Sequence, residues 1–268
     1  MTGPIRISSS ANPLIKRVRA LQSRKARQAH GVFVVEGIQS VWQAVESGAA
    51  IETLLVAPDL LVSTRARRLV ERLRRQGVHS VELTRAVFED VAEHAHASGL
   101  AAIVRMQTWR LSDLTISPSS LFVALHEVQY PGNLGTILRT VDAVGGAGVI
   151  LMGDATDPYH PQAVKASAGA VFTVPHVRVQ SVEVVLEWCG RQGVHIITTS
   201  PHAPQPHWSA AYPLPAVLLF GSEGQGLPEW LITQGQAVHI PMAGQTDSLN
   251  LAIAAGVMLY EVRRQQTR

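Results

Sequence analysis

The chain has a single cysteine, Cys189, and so can form neither an internal disulfide nor a cysteine-based zinc cluster. That residue sits in a helix-like stretch, 182–192, beside Trp188, where a passive, partly buried thiol is expected. No apolar run approaches the 18 residues that a membrane span needs. The opening Met-Thr-Gly-Pro-Ile-Arg-Ile-Ser lacks an apolar h-region, so no secretory signal is expected and a cytoplasmic location fits. Neither half carries Gly-x-Gly-x-x-Gly after its first strand, which argues against a Rossmann dinucleotide site. Walker A and Gly-x-Ser-x-Gly patterns are missing too, so NTPase and serine hydrolase chemistry lack support. The 11 histidines are scattered; His94 and His96 are close, but no carboxylate or cysteine partners complete a metal-like set with them, and no metal is assigned. There is no internal repeat and no low-complexity tract.

The 268 residues, 46% hydrophobic, suffice for one large or two ordinary globular domains. The net charge of +3 conceals an asymmetry. Residues 1–110 hold 16 Lys and Arg against 9 Asp and Glu, whereas residues 111–268 hold 7 against 11. Lys16, Arg17, Arg19, Arg24, Lys25 and Arg27 fall within twelve residues, and Arg65, Arg67, Arg68, Arg72, Arg74 and Arg75 recur at helical spacing. Either cluster alone reads as a solvated helix face. Two in one half favour a polyanionic partner.

Strand-like and helix-like segments alternate along the whole chain, which predicts an α/β protein. The first thirty residues read as a basic arm or short helix opened by Asn12-Pro13. Strands are expected at 32–37, 51–57, 78–83 and 100–106, with helices at 38–47, 64–76 and 85–92 between them. The polar stretch 112–120 reads as a linker between a domain of residues 1–111 and one of residues 121–268. In the second half strands are expected at 121–125, 149–152, 171–174, 195–199, 217–220 and 238–241. Helices are expected at 135–144, 160–168, 182–192 and 248–265. This predicts a mostly parallel sheet covered on both faces, and connection rules alone predict an unknotted chain.

Three loops in the second half carry the chemistry. Asn133-Leu-Gly-Thr-Ile-Leu-Arg139 is a glycine loop entering a helix. Leu218-Leu-Phe-Gly-Ser-Glu-Gly-Gln-Gly-Leu227 is a strand breaking into a glycine turn with one carboxylate. Ile240-Pro-Met-Ala-Gly-Gln-Thr-Asp-Ser-Leu-Asn250 is a polar loop running into an apolar helix. Glycines at 221, 224 and 226 let backbone groups approach a ligand closely. The loops 198–200, 220–226 and 240–250 contain no Lys or Arg, which suits a cationic ligand.

In this order the three loops resemble the motifs of the SpoU (TrmH-like) branch of the SPOUT RNA methyltransferases. The first hundred residues, with Val-Val-Glu-Gly at 34–37, are similar to the L30e/L7Ae-like substrate-binding domain of its ribosomal RNA members. The resemblance implies a SPOUT domain with a C-terminal trefoil knot, S-adenosyl-L-methionine as cofactor, a homodimer with composite sites, and methylation of an RNA ribose 2′-hydroxyl. It implies cofactor contacts at Thr199, Gly221, Ile240, Met242 and Leu249. Arg139 matches the catalytic arginine, and Asn133, Glu223, Ser248 and Asn250 complete the motif set. A guanidinium there suits orientation and oxyanion stabilisation better than proton abstraction, because arginine hardly deprotonates. Glu223 is expected to anchor Arg139 or a neighbouring loop, and Ser248 to cap the last helix.

Lys165-Ala-Ser-Ala-Gly-Ala170 resembles the family's Arg-Ala-Ser-x-Gly-Ala segment, which makes Lys165 and Ser167 expected RNA contacts. Arg17, Lys25, Arg72 and Arg75 are expected to join them. The chain departs from its relatives at Gln129-Tyr130, where an aspartate often precedes Pro-Gly-Asn, at Ala252 in place of a serine, and at Ser98 in place of a glutamine. Large-subunit (23S) ribosomal RNA is the expected substrate. A transfer-RNA methylase and a non-catalytic RNA-binding assembly factor are the alternatives.

Overall fold

The computed structural model describes residues 5–92 and 97–266; His94 and His96 lie outside them. Packing divides the chain into two compact units, Met1–Gln107 with Tyr159–Phe172, and Thr108–Pro158 with Thr173–Arg268.

The first unit begins with β1 (Ile5–Ile7), α1 (Pro13–Ala20), α2 (Arg24–His30), β2 (Val32–Glu36) and α3 (Ile38–Glu46). β3 (Ile51–Val56), α4 (Thr64–Arg75), β4 (Ser80–Leu83), α5 (Arg85–Val91) and β5 (Leu100–Arg105) follow. The sheet order is β1-β4-β3-β5-β2. β4 runs parallel to β1 and β3, while β5 runs antiparallel to β2 and β3. The arm expected at the start is therefore partly a strand, Ile5 pairing with Val81; three residues are too few to show a period. Asn12 caps α1, its Oδ1 accepting from Leu14 N at 2.9 Å, with Pro13 at the first helical position.

The basic residues of this unit divide by partner. Arg27 is fully buried and donates from Nη1 to the carbonyls of Leu21 (2.9 Å) and Gln22 (2.7 Å), where α1 ends. Arg17, expected on RNA, is bound to Glu52 through both guanidinium nitrogens and holds that carboxyl below its ordinary range. Arg19 pairs with Asp90. Lys16 and Lys25 are exposed. The first cluster is thus less cationic toward solvent than its sequence suggests.

In the second unit β6 (Leu121–His126), α6 (Pro131–Ala143) and β7 (Gly148–Met152) come first. The chain then returns to the first unit through α7 (Pro161–Ala166) and most of α8 (Ala170–Thr173). It continues with β8 (His176–Val179), α9 (Val182–Gln192), β9 (His195–Thr199), β10 (Gln205–Pro206), β11 (Ala216–Phe220), α10 (Glu229–Ile232), β12 (Gln236–His239) and α11 (Leu251–Gln266). Seven strands pair in the order β10-β12-β9-β11-β6-β7-β8, and every pairing is parallel. β7 and β11 are buried throughout, and β6 at every position except His126, as strands covered on both faces must be. Cys189 belongs to this core, and burial pushes its thiol up to about 12.

Four expectations are corrected. Residues 171–174, apolar and strand-like, lie largely in the helical turn α8, because Phe172 packs 6.1 Å from Phe33 and tertiary contact overrides propensity. Residues 159–172 pack with the first unit: the Tyr159 ring lies 4.6 Å from Phe33 and its hydroxyl donates to Gln107 O at 2.8 Å. The stretch 112–120 is not a free connector, since Leu114 and Ser120 are buried in the second unit. The helix expected from Gly135 starts at Pro131, whose fixed φ suits a first turn.

Arg27→Met should lower the unfolding free energy by about 1–3 kcal/mol, because the buried Leu21 carbonyl and the part-buried Gln22 carbonyl lose their donor. Lys25→Met should change it by less than about 0.5 kcal/mol. Urea unfolding followed by circular dichroism checks the pair.

Candidate active site

A cleft of about 1040 Å³ opens beyond the carboxyl ends of β9, β11 and β12, where parallel sheets place ligands. Thr199, Gly221, Ile240, Met242 and Leu249, the five expected cofactor residues, all line it. Its lining contains no Lys or Arg but does contain Glu223, Glu229 and Asp247. The electrostatics thus admit a cation. Gly221 is fixed by sterics: a Cβ there would lie 1.9 Å from Gly226 C, so the turn after β11 closes only around a glycine. Gly226 N donates to Ser222 O at 2.9 Å to complete that turn, with Gly226 at φ 67. Thr199 anchors the neighbouring wall, Oγ1 donating to Leu219 O at 3.0 Å.

One carboxylate joins the three loops. Glu223 Oε2 accepts from Gln129 N at 2.9 Å. Its Oε1 accepts from Tyr130 N at 3.1 Å and from Asn133 Nδ2 at 2.9 Å. Asn133 Oδ1 in turn accepts from Asn250 Nδ2 at 3.0 Å. Asn250 Oδ1 caps α11, accepting from Ala252 N at 2.9 Å and Ile253 N at 3.4 Å. Partial burial pushes the Glu223 carboxyl up, yet the two backbone amides and the Asn133 amide outweigh it and leave it below its ordinary value. Glu223 therefore anchors the loop before α6 and not Arg139. The cap of α11 is Asn250, while Ser248 is exposed on the cleft wall.

Arg139 lies on the solvent side of α6, exposed and outside the cleft lining. From Asn133 it is six residues along the helix, a rise of about 9 Å. Among the described residues it makes no ion pair; its helix neighbour Asp142 accepts from Thr173 Oγ1 at 3.1 Å instead. Four expected RNA contacts, Lys25, Arg72, Arg75 and Lys165, are exposed on the first unit. Ser167 is not available for that role: it is fully buried and donates to Val164 O at 2.7 Å. Sequence reasoning missed Tyr130, 63% exposed on the cleft wall, and Gln129, whose Nε2 ties Glu127 O to Asp154 O at 2.9 and 3.1 Å. The departure from Asp-Pro-Gly-Asn was the available signal for both.

An all-parallel sheet, a cation-tolerant cleft at its carboxyl edge and a polar relay across three loops describe a SPOUT-type transferase domain. The chain belongs to the SpoU rRNA Methylase family, whose model matches residues 120–260, and it is an RNA methyltransferase of that type. Residues 12–102 match the MRM3-like substrate binding domain. An uncharacterized tRNA/rRNA methyltransferase of Synechocystis is 38% identical, over 97% of this chain and 94% of its own. The 23S rRNA (uridine(2479)-2′-O)-methyltransferase of Streptomyces viridochromogenes is 32% identical over 92% and 87%. Among solved structures, the AdoMet-bound rRNA methyltransferase of Sinorhizobium meliloti superposes with a TM-score of 0.87 at 34% identity, covering 97% of each chain. The SpoU methyltransferase AviRb of S. viridochromogenes gives 0.86 at 31%, covering 96% of this chain and 98% of its own.

Glu223→Gln should destabilise the second unit by about 2 kcal/mol at neutral pH, the scale of a lost charge-assisted hydrogen bond. The folded-state pKa of Glu223 is depressed, so its contribution is complete above the ordinary carboxylate range and is lost as pH falls through the folded value. Denaturant melts of the two proteins should therefore differ at neutral pH and converge as the pH falls below the depressed folded-state value of Glu223.

Proposed function

We propose that this protein transfers a methyl group from S-adenosylmethionine to a ribose 2′-hydroxyl of large-subunit (23S) ribosomal RNA. The observation that carries the reading is the cleft itself, glycine-walled, lined without Lys or Arg, and bordered by the Glu223–Asn133–Asn250 relay. The 32% identity to a 23S ribosomal RNA 2′-O-methyltransferase supports the choice of ribose and of RNA. When bound, the cofactor supplies an electrophilic methyl on a sulfonium. The residues present fit it: Gly221 leaves room for close backbone approach, and the carboxylates of Glu223, Glu229 and Asp247 favour a cation. The same reading takes the loops around the cleft as the family's trefoil knot and the setting as cytoplasmic.

The chemistry then falls to groups that orient the ribose. Glu223 and Asn133 hold the loop that precedes α6, and Asn250 holds the start of α11 against it. Tyr130 and Ser248 stand on the wall that the nucleotide meets. The hydroxyl oxygen would take the methyl carbon as the carbon–sulfur bond of the sulfonium breaks and a neutral thioether leaves, and the hydroxyl proton would pass to water or phosphate. Arg139 steadies the developing charge with its planar fork. Since Arg139 does not line the cleft of its own chain, it serves a second copy in a homodimer. Leu249, Ile253 and Tyr260, 37%, 54% and 58% exposed at helical spacing on and before α11, supply an apolar stripe for that contact.

Methyl transfer from labelled cofactor to unmodified 23S ribosomal RNA tests the assignment. Incorporation into transfer RNA alone, or none with bound RNA, would replace it with the tRNA methylase or the assembly factor. Arg139→Ala should slow single-turnover transfer by about 10²-fold and spare cofactor affinity measured by calorimetry, with Arg139→Lys rescuing poorly. A transfer rate near that of the parent would reject this role for Arg139. Light scattering at micromolar concentration should give twice the chain mass, and Ile253→Glu with Tyr260→Glu should shift it toward one chain.

A further inference from the structure

The six arginines of α4 separate into two faces. Arg67 and Arg74 are tied into the first unit, Arg67 Nε donating to Leu61 O at 2.7 Å and Arg74 to Ser80 Oγ at 3.0 Å and Glu82 Oε1 at 3.1 Å. Arg65, Arg68, Arg72 and Arg75 are exposed and follow one another at i, i+3, i+7 and i+10, a single stripe along the helix. A stripe of this kind is ordinarily a solvated face. Two of its members, however, are ordered on an aromatic ring. The guanidinium of Arg65 lies 4.0 Å from the centroid of Trp42, on α3, and that of Arg72 lies 5.8 Å from the same centroid. The indole is itself held, since its Nε1–H donates to the carboxylate of Glu46, one turn on along α3.

Among the described residues neither Arg65 nor Arg72 makes an ion pair. The carboxylate beside the ring is otherwise engaged, since Glu46 takes the indole N–H at the ring edge. Two like charges gathered on one ring repel each other unless an anion joins them. Stacking leaves the in-plane N–H forks free while restricting the rotamers that a solvated arginine would sample. A planar fork with no carboxylate partner is shaped for a phosphodiester.

We propose that Trp42, Arg65 and Arg72 form a preorganised site for the RNA backbone, in which Trp42 positions two guanidiniums for phosphate. The inference rests on the reading of RNA as substrate and assigns the surface that grips it. Trp42 acts as a positioning residue and carries no charge, which separates its effect from that of the arginines.

Binding of the full-length protein to in-vitro-transcribed large-subunit ribosomal RNA, titrated against salt, tests the site. Trp42→Leu should weaken binding about 3- to 10-fold while retaining the parent's salt slope, because its charges remain. Trp42→Phe should recover most of the loss, since a phenyl ring also holds guanidinium. Arg65→Gln with Arg72→Gln should weaken binding and lower the salt slope by about 1.5, the value for two lost phosphate contacts. S-adenosylmethionine affinity and the thermal midpoint should stay at parent values in the arginine variants, whose side chains are exposed. If the parent binds RNA with a salt slope and the double arginine variant binds identically, the site is overturned while the RNA reading stands. A parent that binds no RNA would remove both. Displacement of RNA by polyglutamate at equal charge concentration, through these residues, would assign the surface to an acidic protein instead and overturn the proposal.

Discussion

A single carboxylate holds the site together. Glu223 stands in a glycine turn after β11 and accepts hydrogen bonds from the loop that opens α6, and through Asn133 it reaches the cap of α11. Three segments that are far apart in the chain meet at one charged group. Its ionisation gives one charged acceptor to three donors, two backbone amides and the part-buried Asn133 amide. The turn that carries it exists only because Gly221 leaves space for Gly226. Shape, charge and connectivity of the cleft therefore depend on two adjacent requirements, a missing Cβ and an ionised acid.

Charge is partitioned between the units. The cleft in the second unit contributes carboxylates and no Lys or Arg to its lining. The first unit concentrates cations on α4, two of whose six arginines are tied to internal acceptors while four are exposed without one in the unit's interior. A cationic cofactor and a polyanionic substrate place opposite demands on a protein surface. On the proposed reading, separating them into different units meets both without forcing a compromise at either.

The alternation of strands and helices was legible because apolar runs such as 121–125 and 217–220 are bounded by turn residues. The cofactor wall was legible because glycines and the lack of Lys and Arg are properties of short local segments. Partner choice was not. Nothing around Arg27 distinguishes it from Arg24 in sequence, yet its guanidinium ends α1 from inside the core. The return of residues 159–172 to the first unit depends on Phe33 meeting Tyr159 and Phe172, contacts that no local period records. Arg139 was matched to the catalytic arginine by its motif, but a helix points its residues by their spacing, and the residue six steps from Asn133 faces solvent.

The strand order has a consequence for a chain made from its N-terminus. β6, β7 and β8 emerge together and are neighbours in the finished sheet, so they can pair as soon as they exist. β9 emerges next but never touches them, because β11 lies between β9 and β6. Until residues 216–220 leave the ribosome, β9 has no native partner and β6 presents an open, apolar edge of matching direction. Such an edge invites the wrong strand. The central position of β11 therefore makes it the piece whose arrival decides whether the sheet closes correctly, and the interval before it is when a nascent chain is most exposed to mispairing.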